Sequence, residues 1–178
     1  MSIIIRRSII SDIDDLIEFG ASTFTDTFGH LYPPADLKSY LLESYSQEKF
    51  QPFIENKEQY LCYIALVANK IVGYILVSKG VDLPHEDITE NCFEVMKLYI
   101  SKEVFGKGIA QQLMDEGLKW YESHDNHGDF FLSVYSDNIR AQKFYAKYGF
   151  VFAKEYGYIV GNSIDREFIF RRKYDYKN

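Results

Sequence analysis

A chain of 178 residues is long enough to bury one sizeable core, and 47% hydrophobic with 26% charged residues is the composition of a globular protein. The formal net charge of −6 argues against unspecific nucleic-acid binding, which needs basic surface to displace counterions. It suits a positively charged small molecule, because a negative field concentrates cations near the surface.

Residues 1–7 are too short for a signal peptide and no apolar run could span a bilayer, so the expectation is a cytoplasmic protein with neither a membrane nor a nucleic acid as partner. Cys62 and Cys92 fall in separate apolar runs and are expected as buried free thiols. The four histidines are scattered, and no metal site is expected. Fifteen Tyr and fourteen Phe raise the aromatic share to 17%. Most are read as core packing, the rest as lining a groove.

In chain order, the β-branched run 3–5 predicts a first strand. Ser11, followed by Asp12, Asp14 and Asp15, predicts a capped helix start, with Ile13, Leu16, Ile17, Ala21 and Phe24 at helical spacing. Pro33 and Pro34 open a second helix with the stripe Leu37, Tyr40, Leu41, Tyr45, and Phe50, Phe53 and Ile54 suggest a third. Residues 60–68 and 71–78 read as a hairpin around Asn69-Lys70, 82–91 as an acidic loop and 92–100 as a strand. A helix over 108–123, a strand over 130–135 and a helix over 138–148 follow, then closing strands 150–159 and 166–172 around Gly161-Asn162. With no linker or repeat, residues 1–178 are expected to form a single domain, an α/β (α+β) fold with helices on a mixed sheet.

The most informative stretch is 98–110. A strand ends near Ile100, a short loop carries Gly106 and Gly108, and a helix begins. Loop glycines let backbone N–H groups converge, and a helix N-terminus adds unpaired donors and partial positive charge, so the turn suits a pyrophosphate. A tight turn needing glycine only for geometry is an equally good reading of this loop alone. No Lys-Ser or Lys-Thr follows the second glycine, and three fingerprint glycines are absent, so nucleoside triphosphates and nicotinamide cofactors are poor candidates. After strand 130–135, Asp137 or Asn138 is placed as a helix cap, Asn138 and Tyr145 share a helix face, and Gly149 suits the C′ position.

Phe105-Gly106-Lys107-Gly108-Ile109-Ala110, together with Asn138-x-x-Ala141-x-x-Phe144-Tyr145 and Gly149-Phe150, resembles the GNAT superfamily of N-acetyltransferases, whose loop reads Gln/Arg-x-x-Gly-x-Gly/Ala. The residues Thr23-Phe24-Thr25-Asp26-Thr27-Phe28 and Asp36-Leu37-Lys38-Ser39-Tyr40-Leu41 are similar to PaiA-type polyamine acetyltransferases. The departure is Phe105, where the family has Gln or Arg; Lys107 or Lys102 is the candidate to compensate.

The resemblance implies a central, mostly antiparallel sheet of six to seven strands, splayed between the fourth and fifth, with helices on both faces. It implies acetyl-coenzyme A as cosubstrate. Leu98, Tyr99 and Ile100 would pair with its pantetheine, and Phe105, Gly106, Lys107, Gly108, Ile109 and Ala110 would hold its pyrophosphate through their amides. Asn138 would contact the pantetheine, and Lys143 and Arg140 would approach the outer phosphate. Glu94 matches the position of a catalytic base in some members and Tyr145 the family's proton donor. Period-2 alternation puts Glu94, Met96 and Leu98 on one face.

The expected reaction is direct acetyl transfer in a ternary complex to a primary amine, above all a polyamine such as spermidine or spermine. Phe24, Phe28, Tyr32 and Tyr40, with Asp26, Asp36 and Glu43, would clasp the cationic chain. A protein N-terminus or an aminated metabolite or antibiotic is the second acceptor class. A weakly catalytic acyl-coenzyme A-binding regulatory module is the alternative outside enzymes. Pairing of two copies into a homodimer through sheet edges is also expected.

Overall fold

The computed structural model describes residues 2–125 and 127–174. Its strands are β1 (Ile3–Arg7), β2 (Tyr60–Val67), β3 (Lys70–Lys79), β4 (Phe93–Ile100), β5 (Phe130–Tyr135), β6 (Val151–Val160) and β7 (Ser163–Arg172). Its α-helices are α1 (Ile13–Phe28), α2 (Pro34–Ser44), α3 (Gln47–Glu55), α4 (Ile109–Glu122) and α5 (Ile139–Ala146). The strands form one sheet in the order β1-β2-β3-β4-β5-β7-β6. All neighbours run antiparallel except β4 and β5, which are parallel. The expected mixed sheet, seven strands wide, is what the chain forms.

Helices cover both faces because both faces of the central strands are apolar. One core lies under α4 and α5, where Leu113, Met114 and Tyr145 meet Ile75, Phe93, Val95 and Leu132. The other lies under α1, α2 and α3, where Leu16, Phe24, Tyr40 and Phe50 meet Ile64, Tyr74 and Leu76. Cys62 and Cys92 are buried and free, as expected. No helix among the described residues is long and apolar enough to cross a membrane.

Several boundaries differ from expectation for local reasons. Ser11 caps nothing; a short 3₁₀ turn over Ile10–Asp12 precedes α1, and Asp12 accepts the Ile9 N–H at 2.8 Å while pairing with Arg6 at 2.7 Å. In the first hairpin Val67 pairs with Lys70, so the turn is Ala68-Asn69, one residue earlier than expected. Both turn residues are left-handed, at φ 49° and 62°. Such a turn favours Gly and Asn, and alanine is strained there by roughly 1–2 kcal/mol. Ala68→Gly is therefore expected to raise stability by about 0.5–1 kcal/mol after the entropy glycine adds to the unfolded chain. A denaturation midpoint that falls instead would contradict the strained turn.

The irregularity that matters for the site is in β4. Val77 pairs with Val95 but Leu76 pairs with Lys97, so Met96 is a β-bulge residue with no opposite number. The bulge reverses the alternation. Phe93 and Val95 before it and Leu98 and Ile100 after it all pack in the α4 core, while Tyr99 packs in the α1 core. Glu94 therefore shares its face with Lys97 and Tyr99, not with Met96 and Leu98.

Candidate active site

Strands β4 and β5 pair at only three positions, Phe93 with Phe130, Glu94 with Phe131 and Val95 with Leu132, and then part. The separation starts at the bulge. A cavity of about 330 Å³ opens there. Of the residues singled out in the sequence, it brings together Glu94, Leu98, Tyr99, Asn138, Tyr145, Phe24, Phe28, Tyr32 and Tyr40. Ile100 lies outside it, in a second depression beside α1.

The turn leading into α4 has the geometry a bound anion needs. Gly106 and Gly108 stand at φ +78° and +74°, conformations that other residues adopt only with strain. A side-chain carbon added at either would meet nothing within 4 Å, so the space beside the turn is open. The first-turn amides of the 14-residue α4 have no intrahelical acceptor. Ile109 is buried, so its side chain anchors the helix and only its N–H is available to a ligand. These residues fit a diphosphate.

Phe105 is 41% exposed, and the Arg140 guanidinium lies 3.6 Å from its ring centroid. The aromatic ring at the family's Gln/Arg position thus carries an arginine supplied by α5. Lys102 does not fill that place, because its Nζ donates to the Asp26 carbonyl at 2.9 Å. Lys143 is exposed on α5. Asn138 is the cap of α5, its Oδ1 accepting the Ala141 N–H at 3.1 Å, and it also lines the cavity.

Burial sets the ionisation of the cavity groups. It pushes the Glu94 carboxyl up to about 7 despite a hydrogen bond from the Asp82 N–H at 3.0 Å. It pushes the Lys97 ammonium down to about 8, opposed by the charge of Glu94. It alone raises the Tyr145 phenol. Glu167 is raised by burial too, against a hydrogen bond from Ser133.

The acids expected to clasp a cation are placed elsewhere. Asp36 is buried and accepts from Asn162 Nδ2 at 2.9 Å and Ser163 Oγ at 3.2 Å, so it pins the β6–β7 turn onto α2. Asp26 and Glu43 are exposed and do not line the cavity. The cavity acids are instead Asp82, Glu94 and Glu167, and Lys97, Tyr156 and Tyr158 also line it without having been singled out. Of the aromatics, Phe24 stacks parallel to Tyr32 at 6.1 Å and packs on Phe28 at 5.2 Å, and the Tyr32 hydroxyl donates to Asp165.

A strand that parts from its neighbour at a bulge, followed by a glycine turn into a helix, defines an acyltransferase of the GNAT type. The model of the acetyltransferase (GNAT) family matches residues 24–150, and the chain belongs to that family. It is 27% identical over 178 residues to the spermidine N(1)-acetyltransferase of Thermoplasma acidophilum, covering 98% of this chain and 99% of that one. It is 24% identical over 165 residues to an uncharacterized N-acetyltransferase of Lactobacillus delbrueckii subsp. lactis, covering 90% and 91%. Among solved structures, the PaiA N-acetyltransferase of T. acidophilum in complex with coenzyme A superposes with a TM-score of 0.77 at 26% identity, over 98% of this chain and 100% of that one. Arabidopsis thaliana NAA60 in complex with a bisubstrate analogue shares the fold, with a TM-score of 0.75 at 16% identity, over 98% and 100%.

Proposed function

We propose that the protein moves the acetyl group of acetyl-coenzyme A directly to a small primary amine, with Glu94 as base and Tyr145 as acid. The observation that carries this reading is that one cavity, at the point where β4 and β5 part, holds both groups. Acetyl-coenzyme A supplies the thioester carbonyl that the amine attacks. An alkylammonium of pKa near ~10.4 is almost wholly protonated at neutral pH and cannot attack. Glu94, at about 7, is ionised in a useful fraction at neutral pH and takes that proton. The Tyr145 phenol stays protonated, because burial raises it, and gives its proton to the departing sulfur. Freed N–H groups of β4 beyond Val95 are available to the pantetheine and to the oxygen that gains charge.

Arg140, with its guanidinium carbon 3.6 Å from the Phe105 ring centroid, brings positive charge beside the glycine turn in place of the family's side chain. Arg140→Ala is expected to weaken coenzyme A binding about tenfold, the value of a charge-assisted contact. Calorimetry measures it, and an unchanged dissociation constant removes Arg140 from the phosphate site.

A polyamine is the acceptor we favour. Asp82, Glu94 and Glu167 give the cavity acidic character beside aromatic rings, and a relative spanning almost the whole chain is named a spermidine acetyltransferase. A screen of spermidine, spermine, peptides and aminoglycosides with acetyl-coenzyme A, reading released thiol, tests it. Release with peptides alone moves the reading to an N-terminal acetyltransferase. Coenzyme binding without release by any amine favours a regulatory binding module.

A further inference from the structure

Glu167 lines the cavity from β7, and burial raises its carboxyl. The Ser133 hydroxyl donates to it and also meets the Tyr156 hydroxyl at 2.9 Å. Among the described residues no lysine or arginine pairs with it; Arg166, its neighbour in the chain, turns instead to Glu155 at 2.7 Å. Asp165, two residues earlier on β7, adds like-charge repulsion and is engaged by the Tyr32 hydroxyl. The other two cavity acids are better compensated. Glu94 accepts the Asp82 N–H at 3.0 Å and has the charge of Lys97 nearby. Asp82 is exposed, where water and salt screen it. A largely buried anion without a counter-ion is costly, and an ammonium brought to it offsets that cost.

The register of the sheet sets the spacing of the two carboxylates. Glu94 is level with Phe131 and Glu167 with Tyr135, so they are offset along β5 by roughly 13 Å of strand. The hydrogen bond from Ser133 draws the Glu167 carboxylate back toward Glu94. An amine placed at Glu94 therefore has a second carboxylate farther along the same cavity. The gap between them suits a run of methylenes, which the rings of Tyr32 and Tyr158 in the cavity wall can cover.

We infer that Glu167 is the specificity-determining residue of the acceptor cavity: it holds an ammonium that the acceptor carries beyond its reacting amine, so that diamines and polyamines are preferred to monoamines. This rests on the amine transfer proposed above and deepens it. Glu94 takes a proton from one nitrogen, while Glu167 pairs with another that stays charged. Polyamines satisfy both carboxylates, because they carry ammonium groups at several points along one chain.

The test compares kcat/KM for α,ω-diamines with that for n-alkylamines of the same length, from three to eight carbons, and includes spermidine. In the unaltered enzyme the longer diamines are expected to exceed their monoamines by about tenfold or more, the value of a hydrogen bond to a charged group. The advantage shrinks as the chain becomes too short to span the two carboxylates. Glu167→Gln keeps an oxygen for the Ser133 hydroxyl and removes the charge. It is expected to abolish the diamine advantage and to raise KM for spermidine about tenfold, with kcat changed far less. Glu167→Asp, which keeps the charge, restores a diamine advantage and shows that charge is what is read. A purely structural role would lower every amine alike and leave the ratios fixed. Fixed ratios in Glu167→Gln, or no diamine advantage in the unaltered enzyme, overturn the inference while leaving acetyl transfer standing. Thiol release that depends on no amine at all overturns both.

Discussion

Glu94→Gln is expected to lower kcat/KM at pH 7 by about 10²–10³-fold and, in the same protein, to raise stability above pH 7. The rate effect follows from the carboxyl at about 7. Below that pH it is protonated and cannot accept a proton, so the unaltered enzyme's rate climbs through pH 7. In the glutamine variant that limb disappears and only the titration of the acceptor remains. The stability effect has the opposite sign because a raised carboxyl is a destabilised anion. In the unfolded chain Glu94 ionises near the usual 4.5, in the folded chain near 7. The cost of the buried anion is therefore absent below pH 4.5, grows between the two values and is full above pH 7. That cost is on the order of 3 kcal/mol. Glutamine keeps an oxygen to accept the Asp82 N–H and carries no charge. Denaturation curves for both proteins at pH 4.5 and pH 8 measure the difference, and equal stability at both would show that Glu94 is not desolvated. A pH–rate profile identical in the two proteins would assign the base elsewhere.

Tyr145→Phe should reduce turnover by roughly 10²-fold or more while leaving the coenzyme A dissociation constant and the melting temperature unchanged. The ring packs against Phe144 at 5.4 Å and Phe150 at 6.1 Å, contacts that phenylalanine keeps. Because burial raises the phenol above its ordinary value, Tyr145 contributes no alkaline limb to the rate profile in the working range. Undiminished turnover with coenzyme bound would take the tyrosine out of the acid's role.

Most of the fold could be read from periodicity. The stripes of α1, α2 and α4, the paired strands β2 and β3 and the strand–turn–helix units around Gly106 and Asn138 all follow from local spacing. Asn138 was readable as a cap because capping is a local contact. What failed was the propagation of a local rule across an unseen irregularity. Alternation along β4 is correct up to Val95 and inverted after Met96, since one bulged residue changes every later side chain's face. Lys97 was invisible for that reason, although a second charged residue three after Glu94 in a mostly apolar strand was a signal.

Glu167 was missed because β7 read as a closing strand, and only the register of β5 with β7, Tyr135 opposite Glu167, carries it to the cavity. Asp36 was misassigned for the converse reason. Its partners Asn162 and Ser163 are more than a hundred residues away in the chain, and no local pattern announces that such a carboxylate is already engaged.

The short ladder between β4 and β5 has a mechanical consequence. Three rungs join them, whereas every other neighbouring pair of strands shares at least five. The sheet is therefore two stiff panels joined along a narrow seam, and its most compliant line runs through the reaction chamber. A ligand lying along the open length of β4 would lengthen that seam. Occupancy and rigidity would then rise together, and the panels would hold their alignment best while the chamber is filled.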